Sequence, residues 1–162
     1  VYIVVPLVDN ASIETPDQEK VLVECLLSMR ELLIDAGVKI LFESDYSERR
    51  LADFVEQFPA AAFGINYDIG NSAALGQKPS QEIAAYGTRI DNVHIKDRVL
   101  NGTTVPLGHG NADFYEAFCA LHDAGYAGNF ILQTARANDG RHADAIARYR
   151  DMTLSWLAAS GS

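Results

Sequence analysis

The sequence predicts a parallel α/β fold of five strand–helix units, and three observations carry that prediction. Short apolar runs alternate with amphipathic stretches five times along the chain. The first of those runs is nearly unbroken rather than alternating in polarity, which is how a strand covered on both faces reads. Four later runs stop at a single polar residue, Glu43, Asp68, His94 and Gln133. Parallel folds present their chemistry in this way, at the carboxyl ends of strands.

Each element has its own local warrant. Tyr2 to Val8 is the first strand, ending at Asp9-Asn10 and expected to be covered on both faces. Thr15-Pro16-Asp17 then opens a helix: a capping hydroxyl, a Pro at the first helical position, and an acid near the positive end of the helix dipole. Its expected apolar stripe is Val21, Leu22, Cys25, Leu26, Met29, Leu32 and Leu33, with Gly37 as the stop. Val38 to Phe42 is the second strand, and Ser47 is placed to cap a helix through about Phe58 that turns Leu51, Phe54 and Val55 inward. Ala61 to Tyr67 is the third, followed by a Gly/Asn/Ser loop and a helix near Ser80 to Tyr86. Asn92 to Lys96 is the fourth and runs into Asp97-Arg98. A turn-rich loop from Asn101 to Gly110 leads to Asn111, the expected cap of a helix with Phe114, Phe118 and Leu121 on one face and Gly125 as its stop. Phe130 to Leu132 is the fifth strand. A last helix from about Asp139 to Leu157 is expected to bury Ile146, Tyr149, Met152 and Trp156. Phe114, Tyr115, Phe118 and Trp156, at helical spacing, read as core.

Composition narrows the function. The chain has 162 residues, 48% hydrophobic and 22% charged, enough for a proper core. Thirteen basic against 22 acidic residues give a net charge of −9, with no basic cluster to attract nucleic acid or an anionic membrane. No apolar run approaches a membrane span, and Val1 to Pro6 lacks the basic region and cleavage site of a signal peptide. A start at Val rather than Met suggests a trimmed or truncated beginning. The expected location is cytoplasmic, with Cys25 and Cys119 as buried free thiols on helices.

Five units fit either an open doubly wound sheet or the later part of a closed eight-unit barrel. No GxGxxG follows the first strand and no GxxxxGK[ST] occurs, which disfavours the open nucleotide-binding sheet. A complete barrel needs about 250 residues, so this chain is about three units short of one. In a barrel, consecutive strand ends converge on one mouth, which would bring Glu43, Asp68, His94 and Gln133 together. Two carboxylates, an imidazole and an amide oxygen suit a divalent cation such as Mn²⁺ or Mg²⁺. An acid at a strand end also caps a following helix or pairs with a base, so the inference rests on all four together. Lys96, Arg98 and Arg136 are placed to neutralise a phosphate or acid group, or else are solvated strand-end charges. Gly108-His109-Gly110 leads into a helix N-terminus, a natural anion site, where His109 can contact substrate. His122 and His142 read as surface residues.

Several of these pieces resemble one family. Phe42-Glu43, Tyr67-Asp68-Ile69-Gly70-Asn71, Val93-His94-Ile95-Lys96-Asp97 and Leu107 to Phe114, with Gly125-Tyr126-Ala127-Gly128, are similar in order and spacing to the sugar phosphate isomerase/epimerase group with the xylose isomerase-like TIM barrel. The match corresponds to strands five to eight of that barrel, with Val1 to Asp9 similar to strand four. The resemblance implies a single partial TIM-barrel domain over residues 1–162, without its front units. It implies a metal held by Glu43, Asp68, His94 and position 133, with Asn71 as a substrate contact, although Asn71 also suits a Gly-Asn-Ser turn. In the family the first and last ligands are Glu residues that move a proton between adjacent carbons of a keto sugar. Here the last is Gln133, which ligates but does not accept a proton. Glu43 is then the base, and Asp97 or Lys96 the second acid/base group.

The expected function is a divalent-metal-dependent isomerase or epimerase acting on a small keto sugar, polyol or sugar phosphate by an enediolate-type proton transfer. The alternatives are a cyclitol or sugar-acid dehydratase of the same superfamily, and a half-barrel without turnover. The half-barrel's open edge would make it dimerise or exchange strands.

Overall fold

The computed structural model describes residues 1–160. Five parallel strands form one sheet: β1 (Tyr2–Leu7), β2 (Lys39–Ser44), β3 (Phe63–Asp68), β4 (Ile90–Ile95) and, at the far edge, a strand at Asn129–Leu132. Between the fourth and fifth, two-residue strands β5 (Asp97–Arg98) and β6 (Thr104–Val105) pair antiparallel within the turn-rich loop, so the far edge strand is β7. The sheet order β1-β2-β3-β4-β7 follows the chain, as in a barrel built unit by unit. It is a partial barrel, with an open edge at each end among the described residues.

Helices α1 (Pro16–Ser28), α2 (Arg30–Asp35), α3 (Glu48–Glu56), α4 (Ile69–Leu75), α5 (Pro79–Tyr86), α6 (Phe114–Asp123) and α7 (His142–Ser160) complete the units. Thr15 caps α1 with a full capping box: its hydroxyl accepts the Gln18 N–H at 3.2 Å, and the Gln18 side chain accepts the Thr15 N–H at 3.0 Å. Gly37, with φ +63°, ends the α1–α2 segment in the left-handed region that favours glycine. Under the central strands lies an aromatic cluster. Phe42 meets Phe54 at 5.0 Å edge-on and Phe58 at 4.9 Å, with Phe63 stacked 6.1 Å away.

Several local expectations need correction. The first strand is not covered on both faces: Tyr2 and Ile3 are 45% and 50% exposed, because β1 has a neighbour on one side only. The expected single helix breaks at Met29 into α1 and α2; Val21, Cys25 and Leu32 of the expected stripe face outward, while Leu26 and Leu33 are buried. Cys119 is half-buried, and both thiols are free. The Gly/Asn/Ser stretch after β3 is a helix, α4, because the Asp68 carboxylate caps it by accepting the Asn71 N–H at 2.9 Å. Asp113, not Asn111, caps α6 by accepting the Glu116 N–H at 2.9 Å, while the Asn111 side chain accepts the Leu100 N–H at 2.7 Å. Ser47 precedes α3 without a side-chain capping bond. Tyr115 and Ile146 face outward rather than into the core. The last helix begins at His142, three residues later than read from the sequence.

Candidate active site

The site grows out of the pleat. In a strand, alternate residues face the same side, and pairing sets which of them are neighbours. Asp68 pairs with His94 and Asn66 with Asn92 in the β3–β4 register. Asn66, Asp68, Asn92 and His94 therefore share the inner face, and Glu43 of β2 joins them through Asn66. Glu43, Asp68 and His94 are all buried, and each offers a ligand atom within 4.8 Å of the others'. His94 Nδ1 stands 3.2 Å from Glu43 Oε2 and 3.7 Å from Asp68 Oδ2. One imidazole nitrogen and two carboxylate oxygens are a donor set suited to a divalent metal of borderline hardness.

A surrounding frame of amides and cations holds these three groups. Asn66 Nδ2 donates to Glu43 Oε2 at 2.7 Å and lies 3.0 Å from His94 Nδ1; Asn92 Nδ2 donates to Asn66 Oδ1 at 2.6 Å. Asn71 Nδ2 donates to the other Glu43 oxygen at 2.6 Å. Lys96 Nζ donates to Asp68 Oδ2 at 3.3 Å and to Asn71 Oδ1 at 3.1 Å, and Arg98 Nη1 donates to the same Asn71 oxygen at 2.8 Å. Ligands oriented in this way by a second layer of hydrogen bonds lose little freedom when they bind a metal. Gly70 permits the packing: a Cβ there would sit 2.9 Å from the Lys96 carbonyl carbon and oxygen, so only glycine lets α4 lie against the end of β4.

Burial by itself would lower the His94 pKa. Its hydrogen bonds to Asp68 and Glu43, with their negative charges, outweigh that and hold it at about 9. The imidazole is thus protonated at neutral pH when no cation faces the two carboxylates.

The remaining sequence candidates fall in different places. Asn71, Lys96 and Arg98 are at the cluster. Asp97 is fully buried, and its two oxygens accept the N–H groups of Gly108, Gly110 and Ala112 at 2.9, 2.8 and 3.1 Å. Its carboxylate is spent on shaping that loop and is not among the groups that meet at Glu43. Gln133 continues the ladder, its N–H donating to the Ile95 carbonyl at 3.0 Å, with an exposed side chain. His109 is exposed. Arg136 lines a separate cleft of about 290 Å³ with Pro106, Arg148 and Tyr149.

Sequence reading missed Asn66 and Asn92. The available signal was an amide in mid-strand, where a core strand should carry an apolar residue. It also missed Glu82 on α5, 2% exposed on the outer side of β3. Tyr67, Ser72 and Tyr86 hydroxyls donate to it at 3.0, 2.8 and 2.9 Å, and burial pushes its carboxyl above the usual range. The Ser72 bond ties α4 to α5 one residue beyond Asn71.

A family description, the xylose isomerase-like TIM barrel, matches residues 2–154. The chain belongs to that family. An L-ribulose-5-phosphate 3-epimerase of Salmonella paratyphi C is 30% identical over 100 residues, 61% of this chain and 35% of its own length. The chain thus spans about a third of the curated relatives it matches. Among solved structures, a xylose isomerase domain protein from Planctomyces limnophilus superposes with a TM-score of 0.80 at 19% identity, covering 99% of this chain and 61% of that one. A zinc-bound IolI protein gives 0.81 at 20% identity, over 98% and 63%. The E. coli 3-keto-D-glucoside 4-epimerase YcjR gives 0.68 at 19%, over 96% and 63%. At these identities the solved structures show the fold, which is the partial barrel described above. Among the described residues, no helix is long and apolar enough to cross a membrane.

Proposed function

We propose that Glu43, Asp68 and His94, with the Gln133 amide oxygen as a fourth donor, hold a divalent cation of the Mn²⁺ or Mg²⁺ kind. We further propose that the site moves a proton between adjacent carbons of a small keto sugar, polyol or sugar phosphate. The observation that carries this reading is the convergence of three buried ligand groups from three adjacent strand ends. The zinc in the IolI neighbour and the sugar epimerases among the relatives support it. When bound, the cation would supply Lewis-acid stabilisation of negative charge developing on a substrate oxygen.

The chain's own residues divide the remaining work. Glu43, fixed at both oxygens by Asn66 and Asn71, is the base that takes the proton from carbon. Lys96, three donors on a flexible stem beside Asp68, can return one or neutralise the oxygen. Asp97 shapes the loop at Gly108 to Ala112 and moves no proton. Because Gln133 accepts no proton, a symmetrical two-carboxylate exchange is disfavoured: the proton returns from Lys96 or, where Lys96 only neutralises the oxygen, from Glu43 itself. The open edges at β1 and β7 support self-association or strand exchange, which size-exclusion with light scattering reads directly.

Mn²⁺ titration of the wild type against His94→Ala and Asp68→Asn tests the ligand assignment. The expected result is a loss of about 100-fold or more in affinity in each variant. Unchanged Mn²⁺ binding would sink it. Gln133→Glu should add a proton-accepting group, read as gain of exchange of the substrate's carbon-bound hydrogen with solvent.

A further inference from the structure

We propose that Glu82, on α5, is a positioning residue for the cluster: through Ser72 it sets the rotation of α4, and with it the hold of Asn71 on Glu43. Its effect on a cation rests on the reading of Glu43, Asp68 and His94 as ligands; its effect on Asn71 does not. Glu82 bonds to none of those three. It is 2% exposed, and its three partners are hydroxyls rather than cations. Burying a carboxylate without a basic partner is costly, and an apolar side chain would fill the same space without that cost. The hydroxyls make it a hub. Its Oε2 accepts the Tyr67 O–H at 3.0 Å, and its Oε1 accepts those of Ser72 and Tyr86 at 2.8 and 2.9 Å. Burial first, and then the charge of Glu82, push both tyrosine hydroxyls well above their usual range, so both stay protonated and donate.

Two of these partners are chain neighbours of site residues. Tyr67 precedes Asp68 in β3, and the pleat turns one toward the helices and the other toward the cluster. Ser72 follows Asn71 in α4, where successive side chains point about 100° apart, so a bond that fixes one orients the other. With seven residues, α4 is too short to hold its own geometry, and its rotation is set by what it is tied to. On one flank Ser72 is tied to Glu82. On the other, Asn71 donates to Glu43 Oε1 at 2.6 Å and accepts from Lys96 and Arg98 at 3.1 and 2.8 Å. Between the two flanks lies a cavity of about 10 Å³, lined by Glu43, Asn71, Ser72 and Glu82 among others, with room for no more than one water. So little free space leaves α4 a single seat while the Ser72 bond holds.

The test compares two branches of the same hub. Ser72→Ala and Tyr86→Phe each remove one hydroxyl from Glu82, the first on the branch to α4 and the second within α5. Urea unfolding should register similar losses for both, and two further measurements separate positioning from mere support. In metal-free protein, the Asn71 side-chain amide, followed by nitrogen-15 NMR, should exchange with solvent several-fold faster in Ser72→Ala and at the wild-type rate in Tyr86→Phe. In Mn²⁺ titration, Ser72→Ala should bind about tenfold more weakly, and Tyr86→Phe should stay within about twofold of the wild type. Glu82→Leu removes the hub at similar volume and should shift both readouts at least as far as Ser72→Ala; should it fail to fold, Ser72→Ala carries the test alone. An Asn71 amide unmoved by Ser72→Ala, or moved equally by both variants, would overturn the proposal. So would a Mn²⁺ affinity that Ser72→Ala leaves unchanged. Failure of every form to bind Mn²⁺, the wild type included, would remove the cation reading instead, and the Asn71 amide would then decide whether Glu82 positions it.

Discussion

The three central strands and the two flanking strands are written in much the same apolar vocabulary, yet the three buried ligand groups that meet, Glu43, Asp68 and His94, all come from the central three. Every residue of β3 is buried, and β2 and β4 are nearly as enclosed. β1 reads Tyr-Ile-Val-Val-Pro-Leu and buries only its last residue, while β7 buries none of Asn-Phe-Ile-Leu. The difference is a matter of neighbours. A strand paired on both sides, with helices behind it, excludes water from both faces; an edge strand has half that cover. A protonated imidazole with a raised pKa and a bonded amide frame need a dry, fixed setting, and among the described residues β2, β3 and β4 supply it.

Paired substitutions put the sharpest pressure on this contrast. Phe42→Ala, in the central aromatic cluster, should cost about 3–5 kcal/mol in urea unfolding, whereas Ile3→Ala on β1 should cost about 1 kcal/mol or less. A comparable cost for the two would mean that β1 is covered in solution by something this half-barrel does not show. Asp97→Ala comes next. It strands three loop N–H groups that now share a buried carboxylate, at roughly 1–3 kcal/mol for each buried donor left unpaired, so a loss on the order of 3 kcal/mol is expected. If thermal stability held while turnover vanished, Asp97 would belong to the chemistry after all.

A smaller effect should follow pH. His94 carries a folded pKa of about 9 against an ordinary value of 6.5, so the folded state holds its proton more tightly than the unfolded chain does. That stabilisation is complete below about pH 6.5 and is lost as pH rises through 9, by an amount on the order of 2 kcal/mol. Denaturant midpoints of metal-free protein measured across this range should fall accordingly, and His94→Gln should flatten the slope. Added Mn²⁺ must displace the same proton, so its affinity should climb over the same interval. Least of all should happen at the exposed Lys20–Glu24 pair on α1: Glu24→Ala is expected to stay within about 0.5 kcal/mol of the wild type.

Much of this was legible before any coordinates. Thr15-Pro16 announced a helix start because capping and the fixed proline φ are local physics. Glu43, Asp68 and His94 announced themselves by ending apolar runs. Other features were hidden. Gly70-Asn71-Ser72 reads as a loop by composition, and becomes helix only because Asp68 caps it and Glu82 holds Ser72 from another helix. Asp97 sits in a motif that suggests chemistry. Its actual partners are backbone N–H groups 11 to 15 residues onward, which no local pattern reveals.

By itself, then, the sequence determined the alternation of strands and helices, the helix starts at Thr15-Pro16 and the glycine stops, and the identity of the groups at each strand end. These depend on backbone sterics and on hydrogen bonds within a few residues. Tertiary structure alone decided which of those strand ends meet. It also decided that Asn66 and Asn71 brace Glu43, that Lys96 and Arg98 meet at the Asn71 amide oxygen, and that the first strand lies open on one side. Each of these is a contact between residues far apart in the chain, set by the register of the sheet and the way its loops gather at one mouth.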